Sequence, residues 1–290
     1  MLAAGPIRDL IAAKGLEEAT AEQIAAVIPE DLLTVFLAQY QAELEEERFG
    51  KLRNLFPNSE DCRLISPQGW RYKQVGEFKF YERAGYQRHL EFFRQGAIFR
   101  ARCLMAANRV GKTFSAGGFE LACHLTGEYP KWWEGKTFRH PIRAWACGKT
   151  NETTRDIVQT TLLGDVEYHG ARKGIDGSGV IPREKIGHDP GQLTWKQGVA
   201  DLVDTIRIKH KSGGWSKLGL KSYQQGRGSF EGTAQHVVWD DEEPPMEVYG
   251  EQIIRTATTK GILMLTFTPL EGMSDVVQQF LPNDDFAAQR

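Results

Sequence analysis

Apolar residues in "TAEQIAAVIPEDLLTVFLAQYQAELEEERFGKL" recur at helical spacing, with one break at Pro29. Proline suits the first turn of a helix and acids suit its positive end, so Pro29, Glu30 and Asp31 mark the start of a second helix. "ELEEER" then reads as a solvated helix face. Between about 60 and 95 aromatic residues gather in "GWRYKQVGEFKFYERAGYQRHLEFF", and beyond it the pattern changes. Strand-like runs ("AIFRARCLMAA", "IRAWACG", "TIRIKH", "LGLKSY", "HVVWDD", "GILMLTFT") alternate with helix-like ones ("KTFSAGGFELACHLTG", "NETTRDIVQTTLLG", "MEVYGEQIIRTATT"). This alternation predicts an α/β fold with a mostly parallel central sheet covered by helices. "ARKGIDGSGVIPREKIGHDPGQ" is rich in Gly and Pro and predicts an irregular excursion. The expected organisation is a small helical appendage over 1–60 and an α/β domain over 61–290.

Composition changes this picture little. The chain has 290 residues, 41% hydrophobic and 26% charged, with a formal net charge of −2, so any contact with nucleic acid must come from a local patch. No run approaches the ~18 apolar residues of a membrane span, and Arg8 and Asp9 interrupt the start where a signal peptide would be apolar. The expectation is an intracellular protein without a membrane partner. Cys62, Cys103, Cys123 and Cys147 form no CxxC pair, which argues against a zinc site or a disulfide framework.

The first candidate site is "AANRVGKT", residues 106–113, between a strand-like and a helix-like run. In a phosphate loop the backbone N–H groups cradle phosphates, the lysine reaches the β and γ oxygens, and the hydroxyl holds magnesium. Ala106, Ala107, Asn108, Arg109, Val110, Gly111, Lys112 and Thr113 would supply those parts. Ala106 stands where the pattern has glycine, which is tolerable if its φ stays negative. The second is "HVVWDDEEPP", an apolar run ending in acids. There Asp241 would hold magnesium through water and Glu242 would polarise an attacking water, with Glu243 as the alternative because four acids stand in a row. The third is "GILMLTFTPLEG", whose Thr266 and Thr268 stand at a strand tip where hydroxyls could sense the γ-phosphate; Thr268 is the coupling candidate. A phosphate loop with such an acid predicts a three-layer P-loop NTPase that binds ATP and Mg²⁺.

"AANRVGKT", "VVWDDEEPP", "TFTPLEG" and the intervening "KSYQQGRGSFEGTA", in that order, resemble the ATPase domain of tailed-bacteriophage large terminase subunits, over roughly residues 70–280. The resemblance implies the additional-strand, catalytic-glutamate type of sheet. It implies an adenine-contacting glutamine upstream of the loop, which falls on Gln87, with Tyr86 or Phe92 stacking near the base. Such loops often lack the first glycine and carry an arginine, here Arg109, which would neutralise charge on the transferring phosphoryl group; Arg227 is the alternative arginine finger, in cis or in trans. The implied function is a motor that hydrolyses ATP to translocate double-stranded DNA into a procapsid. Its implied partners are the portal protein, a small terminase subunit and further copies in a homo-oligomeric ring, a pentamer, in the host cytoplasm and transiently at the procapsid portal. The family's C-terminal nuclease domain would begin near where this chain stops; Asp284 and Asp285 alone do not form a two-metal site, so nuclease activity is not expected.

Two other readings share these motifs: a helicase-like nucleic-acid-dependent ATPase, and a nucleotide-gated binding or scaffold protein without turnover. A basic stretch, "RIKHKSGGWSKLGLKSYQQGR", carries Lys209, Lys211, Lys217, Lys221 and Arg227 on an expected hairpin. It could touch a phosphate backbone without reading sequence, or it could be a solvated sheet edge.

Overall fold

A computed structural model describes residues 23, 26–170, 172–270 and 272–281. Asp284, Asp285 and most of the first expected helix lie outside the described residues. Contacts divide the chain into two units, Met1–Gly85 and Tyr86–Arg290. In the first, helix α1 (Glu30–Phe49) follows Pro29 as expected and is continued after Gly50 by α2 (Lys51–Asn54). The unit also holds an antiparallel sheet of β1 (Leu64–Ile65), β2 (Arg71–Val75) and β3 (Phe78–Tyr81). The division falls after Gly85 and not at residue 60, because this sheet is tied to the helices: Lys73 on β2 donates to Asn54 on α2 at 2.6 Å. β2 and β3 form an unexpected hairpin, with Gly76 turning at φ 55°.

The second unit is built on a seven-stranded sheet in the order β4-β12-β11-β5-β10-β9-β8. Its strands are β4 (Ala101–Met105), β5 (Arg143–Gly148), β8 (Leu193–Trp195), β9 (Val203–Lys209), β10 (Trp215–Ser222), β11 (Val237–Asp241) and β12 (Ile262–Phe267). The first five strands in spatial order run parallel, β9 pairs antiparallel with β10, and β8 pairs antiparallel with β9. β12 lies between the strand that leads into the loop and the strand that ends in acids, which is the additional-strand arrangement. The excursion after the helical run Asn151–Leu163 contains an unexpected hairpin of β6 (Val166–His169) and β7 (Arg172–Ile175).

Period-two alternation on β11 divides the layers. Val238 and Asp240 face α5 (Met246–Ala257), where Val248, Tyr249, Leu263, Leu265 and Phe267 form a core. Trp239 and Asp241 face the segment after the loop. That segment begins as a π-helical turn, Lys112–Gly118, and continues as α4 (Phe119–Thr126). Gly117 permits the close approach, since a Cβ there would stand 2.0 Å from Trp239 Nε1. Under the loop, Arg102 on β4 bonds Glu120 on α4 at 2.8 Å, and Glu120 also bonds His124 at 3.1 Å, all buried. No helix among the described residues is long and apolar enough to cross a membrane.

Candidate nucleotide site

The sheet register sets the geometry. Asp241 pairs with Thr266, and Phe267 pairs with Met105, so β4, β12 and β11 end level with one another. The residues that follow these strands, Ala106, Thr268 and Glu242, therefore emerge side by side. Ala106 is not among the described residues with positive φ; the left-handed positions of the loop are Arg109 (φ 64°) and Gly111 (φ 83°). A methyl group at 106 therefore brings no backbone strain, and the glycine that the turn needs is Gly111.

Lys112 is 9% exposed and its Nζ donates to Ala106 O at 2.9 Å, Ala107 O at 2.6 Å and Thr268 Oγ1 at 2.9 Å. Thr268 Oγ1 also lies 2.8 Å from Asn108 Oδ1, so it joins the loop's lysine to the loop's asparagine. Burial lowers the Lys112 pKa, and the charges of Glu242 and Asp241 oppose that shift. Thr113 Oγ1 donates to Asp241 Oδ1 at 2.9 Å, and Thr266 Oγ1 donates to the same oxygen at 3.1 Å. Thr266 in turn accepts from Trp239 Nε1 at 2.8 Å. Burial pushes the Asp241 carboxyl up to about 7, against the pull of the two hydroxyls.

The row of four acids separates by direction. Asp240 points away from the loop, accepts from Gln252 at 2.7 Å and lies 3.2 Å from the Tyr223 hydroxyl. Asp241 points at Thr113. Glu242 is exposed, lines a cavity of about 560 Å³ with Thr268, and has φ 81°, a conformation that costs a non-glycine residue about 1–3 kcal/mol. Glu243 lines the same cavity but contacts Ser274, the cap of α6 (Asp275–Gln278). Thr113 and Asp241 offer hard oxygen donors of the kind magnesium takes, and they would hold it through the hydroxyl directly and the carboxylate through water.

Gln87 is the exposed first residue of α3 (Gln87–Gln95), and His89 on that helix hydrogen-bonds the Gly111 backbone. Sequence reasoning missed His89, whose signal was its position two residues after Gln87. Tyr86 packs edge-on against His89 with ring centroids 5.2 Å apart. Phe92 is buried with Arg102 over its ring at 4.6 Å. Arg109 and Val110 are exposed on the loop. Arg227 is not brought to this cluster: it lies 3.3 Å from Glu251 on α5 and 3.8 Å from Glu231.

Residues 103–289 match the family described as terminase large subunit, T4likevirus-type, N-terminal. The chain is 40% identical over 222 residues to the terminase large subunit of Salmonella phage P22, a match that covers 70% of this chain and 42% of that protein. The chain thus spans less than half the length of this curated relative. Similar solved structures include the large terminase of a thermophilic bacteriophage (14% identity, TM-score 0.41, 63% of this chain and 38% of that one). The same large terminase in complex with ADP matches with a TM-score of 0.38, at 14% identity over 62% of this chain and 37% of that one. The ATPase domain of a Thermus phage large terminase matches with a TM-score of 0.34, at 14% identity over 62% of this chain and 64% of that one. With the family match spanning most of the chain and the P22 relative at this identity, the chain belongs to the terminase large subunit family.

Proposed function

We propose that this chain is the ATP-hydrolysing motor part of a terminase large subunit, which uses ATP and magnesium to drive double-stranded DNA into a procapsid. The observation that carries the reading is the hydrogen bond between Thr113 and Asp241, which joins the phosphate loop to the acid strand at the point where a metal-bound triphosphate would lie. Lys112 would bind β and γ oxygens in exchange for its present loop carbonyls. Thr113 and Asp241 would hold magnesium, which supplies charge neutralisation to the phosphates. Glu242, aimed into the cavity by its left-handed backbone, would orient water and take its proton. Arg109 would neutralise the γ-phosphoryl oxygens, and Gln87 would meet adenine. Thr268, bonded to both Lys112 and Asn108, would pass the loss of the γ-phosphate to the chain beyond β12.

The motor is assigned to the unit that begins at Tyr86, and the helical N-terminal part of the first unit to contacts with partner proteins. The portal protein, a small terminase subunit, a homo-oligomeric ring and a location in the host cytoplasm and at the procapsid follow from family membership as part of this proposal. Steady-state ATP hydrolysis by the Lys112→Ala protein tests the reading. Turnover should fall to background; hydrolysis at the parental rate would reject it. A parental protein that binds ATP but releases no phosphate with DNA and partners present would instead favour a nucleotide-gated scaffold.

A further inference from the structure

Antiparallel strands commonly leave one sheet face to solvent. Where β9 pairs antiparallel with β10, and at the first residue of β5, this sheet does so. Ile206 and Ile208 on β9 and Leu218 and Leu220 on β10 are buried on one face. On the other, Arg207, Lys217 and Arg143 are exposed. The register places Lys217 opposite Arg207 on one side and opposite Arg143 on the other. Three cations therefore stand in one cross-strand row, about 10 Å long at ~4.8 Å per strand.

Like charges directly opposite one another destabilise a sheet. Among the described residues none of the three has an ion-pair partner within 4.0 Å. The row lines a cavity of about 490 Å³, together with Lys221, Asp204 and Glu231. Lys221 is already engaged, donating to Ser229 O at 2.7 Å and lying 5.0 Å from the Trp145 ring centroid. Gly219, between the two lysines on β10, keeps the floor open: a Cβ there would meet Trp145 at 3.0 Å. Four cations against two acids, on rigid strands, make a concave surface of net positive charge. Arg143 begins β5 and Gly148 ends it, so the row lies about 17 Å along the strands from their nucleotide-side tips, at ~3.3 Å per residue.

We propose that this open sheet face is a second anion site, distinct from the phosphate loop, which binds the phosphodiester backbone of duplex DNA. The choice of duplex DNA among polyanions rests on the motor reading; the surface itself rests on charge complementarity. A 10 Å row covers roughly three phosphates of one strand, at about 3.4 Å of helix axis each. Lysine and arginine contacts to phosphate carry no sequence information, which suits a chain that must hold DNA of any sequence.

The test uses the full chain with Arg143, Arg207 and Lys217 all changed to Gln, and the single Lys217→Gln variant as a milder control. The melting temperature should hold or rise, because repulsion is removed. Affinity for a random-sequence duplex should fall, and the slope of log K against log salt should become shallower by up to about 2.7 in the triple variant and about 0.9 in the single one. ATP hydrolysis without DNA should be unchanged, while any DNA-stimulated increment is lost. Parental duplex affinity and salt slope in the triple variant would overturn the proposal. So would a triple variant that loses polyglutamate or single-stranded RNA while keeping duplex DNA, since the face would then belong to that partner. Failure of the motor reading shows separately, as a parental protein that hydrolyses no ATP, and leaves the salt slope readable.

Discussion

Thr113, on the turn that follows the loop, donates its hydroxyl to Asp241 at the tip of β11 across 2.9 Å. One short contact thus joins two motifs that lie more than a hundred residues apart in the chain. Thr113→Val removes the donor and leaves Asp241 with Thr266 alone. Magnesium-dependent ATP turnover should drop by about 10²-fold, while stability should change by only about 1 kcal/mol, the net worth of a hydrogen bond. A Thr113→Val, Asp241→Asn double-mutant cycle on turnover checks this. The two losses should be strongly non-additive; simple addition would mean that the pair does not act as a unit.

Glu242 holds φ 81° directly after a buried strand, and its backbone is tied there by its N–H to Thr266 O at 3.2 Å and by Tyr223 OH donating to its carbonyl at 2.9 Å. Glycine adopts that conformation without strain. Glu242→Gly should therefore raise stability by about 1 kcal/mol, or leave it unchanged if unfolded-state entropy cancels the relief, while it abolishes turnover. Glu242→Gln should abolish turnover with nucleotide affinity retained. Chemical denaturation and equilibrium nucleotide binding on the two variants separate strain from chemistry.

The main strands of the second unit were legible because β4, β5, β9, β10, β11 and β12 are continuous apolar or alternating runs, and a strand buried on both faces must be so. The hairpins β2–β3 and β6–β7 were not: their polar or glycine-rich residues pair locally and bury little. The loop and the acid strand could be read as motifs. The phase of Asp240, Asp241, Glu242 and Glu243 could not, since alternation gives a period but not which member faces the loop. That phase is set by Gln252 and Tyr223 taking Asp240 to the far side. The pairing of Arg227 with Glu251 was equally hidden, because the acid belongs to a helix that packs back from 24 positions further along.

Gly117 lets the π-helical turn lie against Trp239, whose indole N–H holds the Thr266 hydroxyl that in turn donates to Asp241. A β-carbon at 117 would stand 2.0 Å from that nitrogen, so Gly117→Ala must displace the ring or the turn. Overpacking of this kind costs about 1–3 kcal/mol. The expected outcome is a lower melting temperature together with reduced turnover. The change at the neighbouring chain position, Ala116→Gly, removes a buried methyl group and adds backbone freedom, and should lower stability by about 1–2 kcal/mol without moving the Asp241 carboxylate. Thermal melting and turnover measured on both variants distinguish the two.

Arg102, Glu120 and His124 form a buried charge network beneath the loop, and its response to acid follows from their directions of shift. Burial lowers the His124 pKa, and its ring bonds Glu120 through Nε2 and Tyr129 through Nδ1, the arrangement of a neutral imidazole that donates to the carboxylate and accepts from the phenol. Glu120 is itself held low: burial opposes this, but Arg102 and His124 outweigh it. The unfolded chain therefore binds a proton on histidine below about pH 6.5, and on glutamate below about 4.5, where the folded chain does not. Stability should be fully present above pH 7 and should fall as pH drops, first through the histidine window and then through that of the glutamate. Glu120→Gln leaves Arg102 buried without its ion-pair partner, at a cost of about 3–5 kcal/mol at pH 7.5 that shrinks only below about pH 4.5, where the unfolded glutamate takes up a proton that the folded one refuses. Melting temperatures of both proteins from about pH 2 to 8 should approach one another only below about pH 4.5. Parallel curves would show that Glu120 does not carry the acid sensitivity.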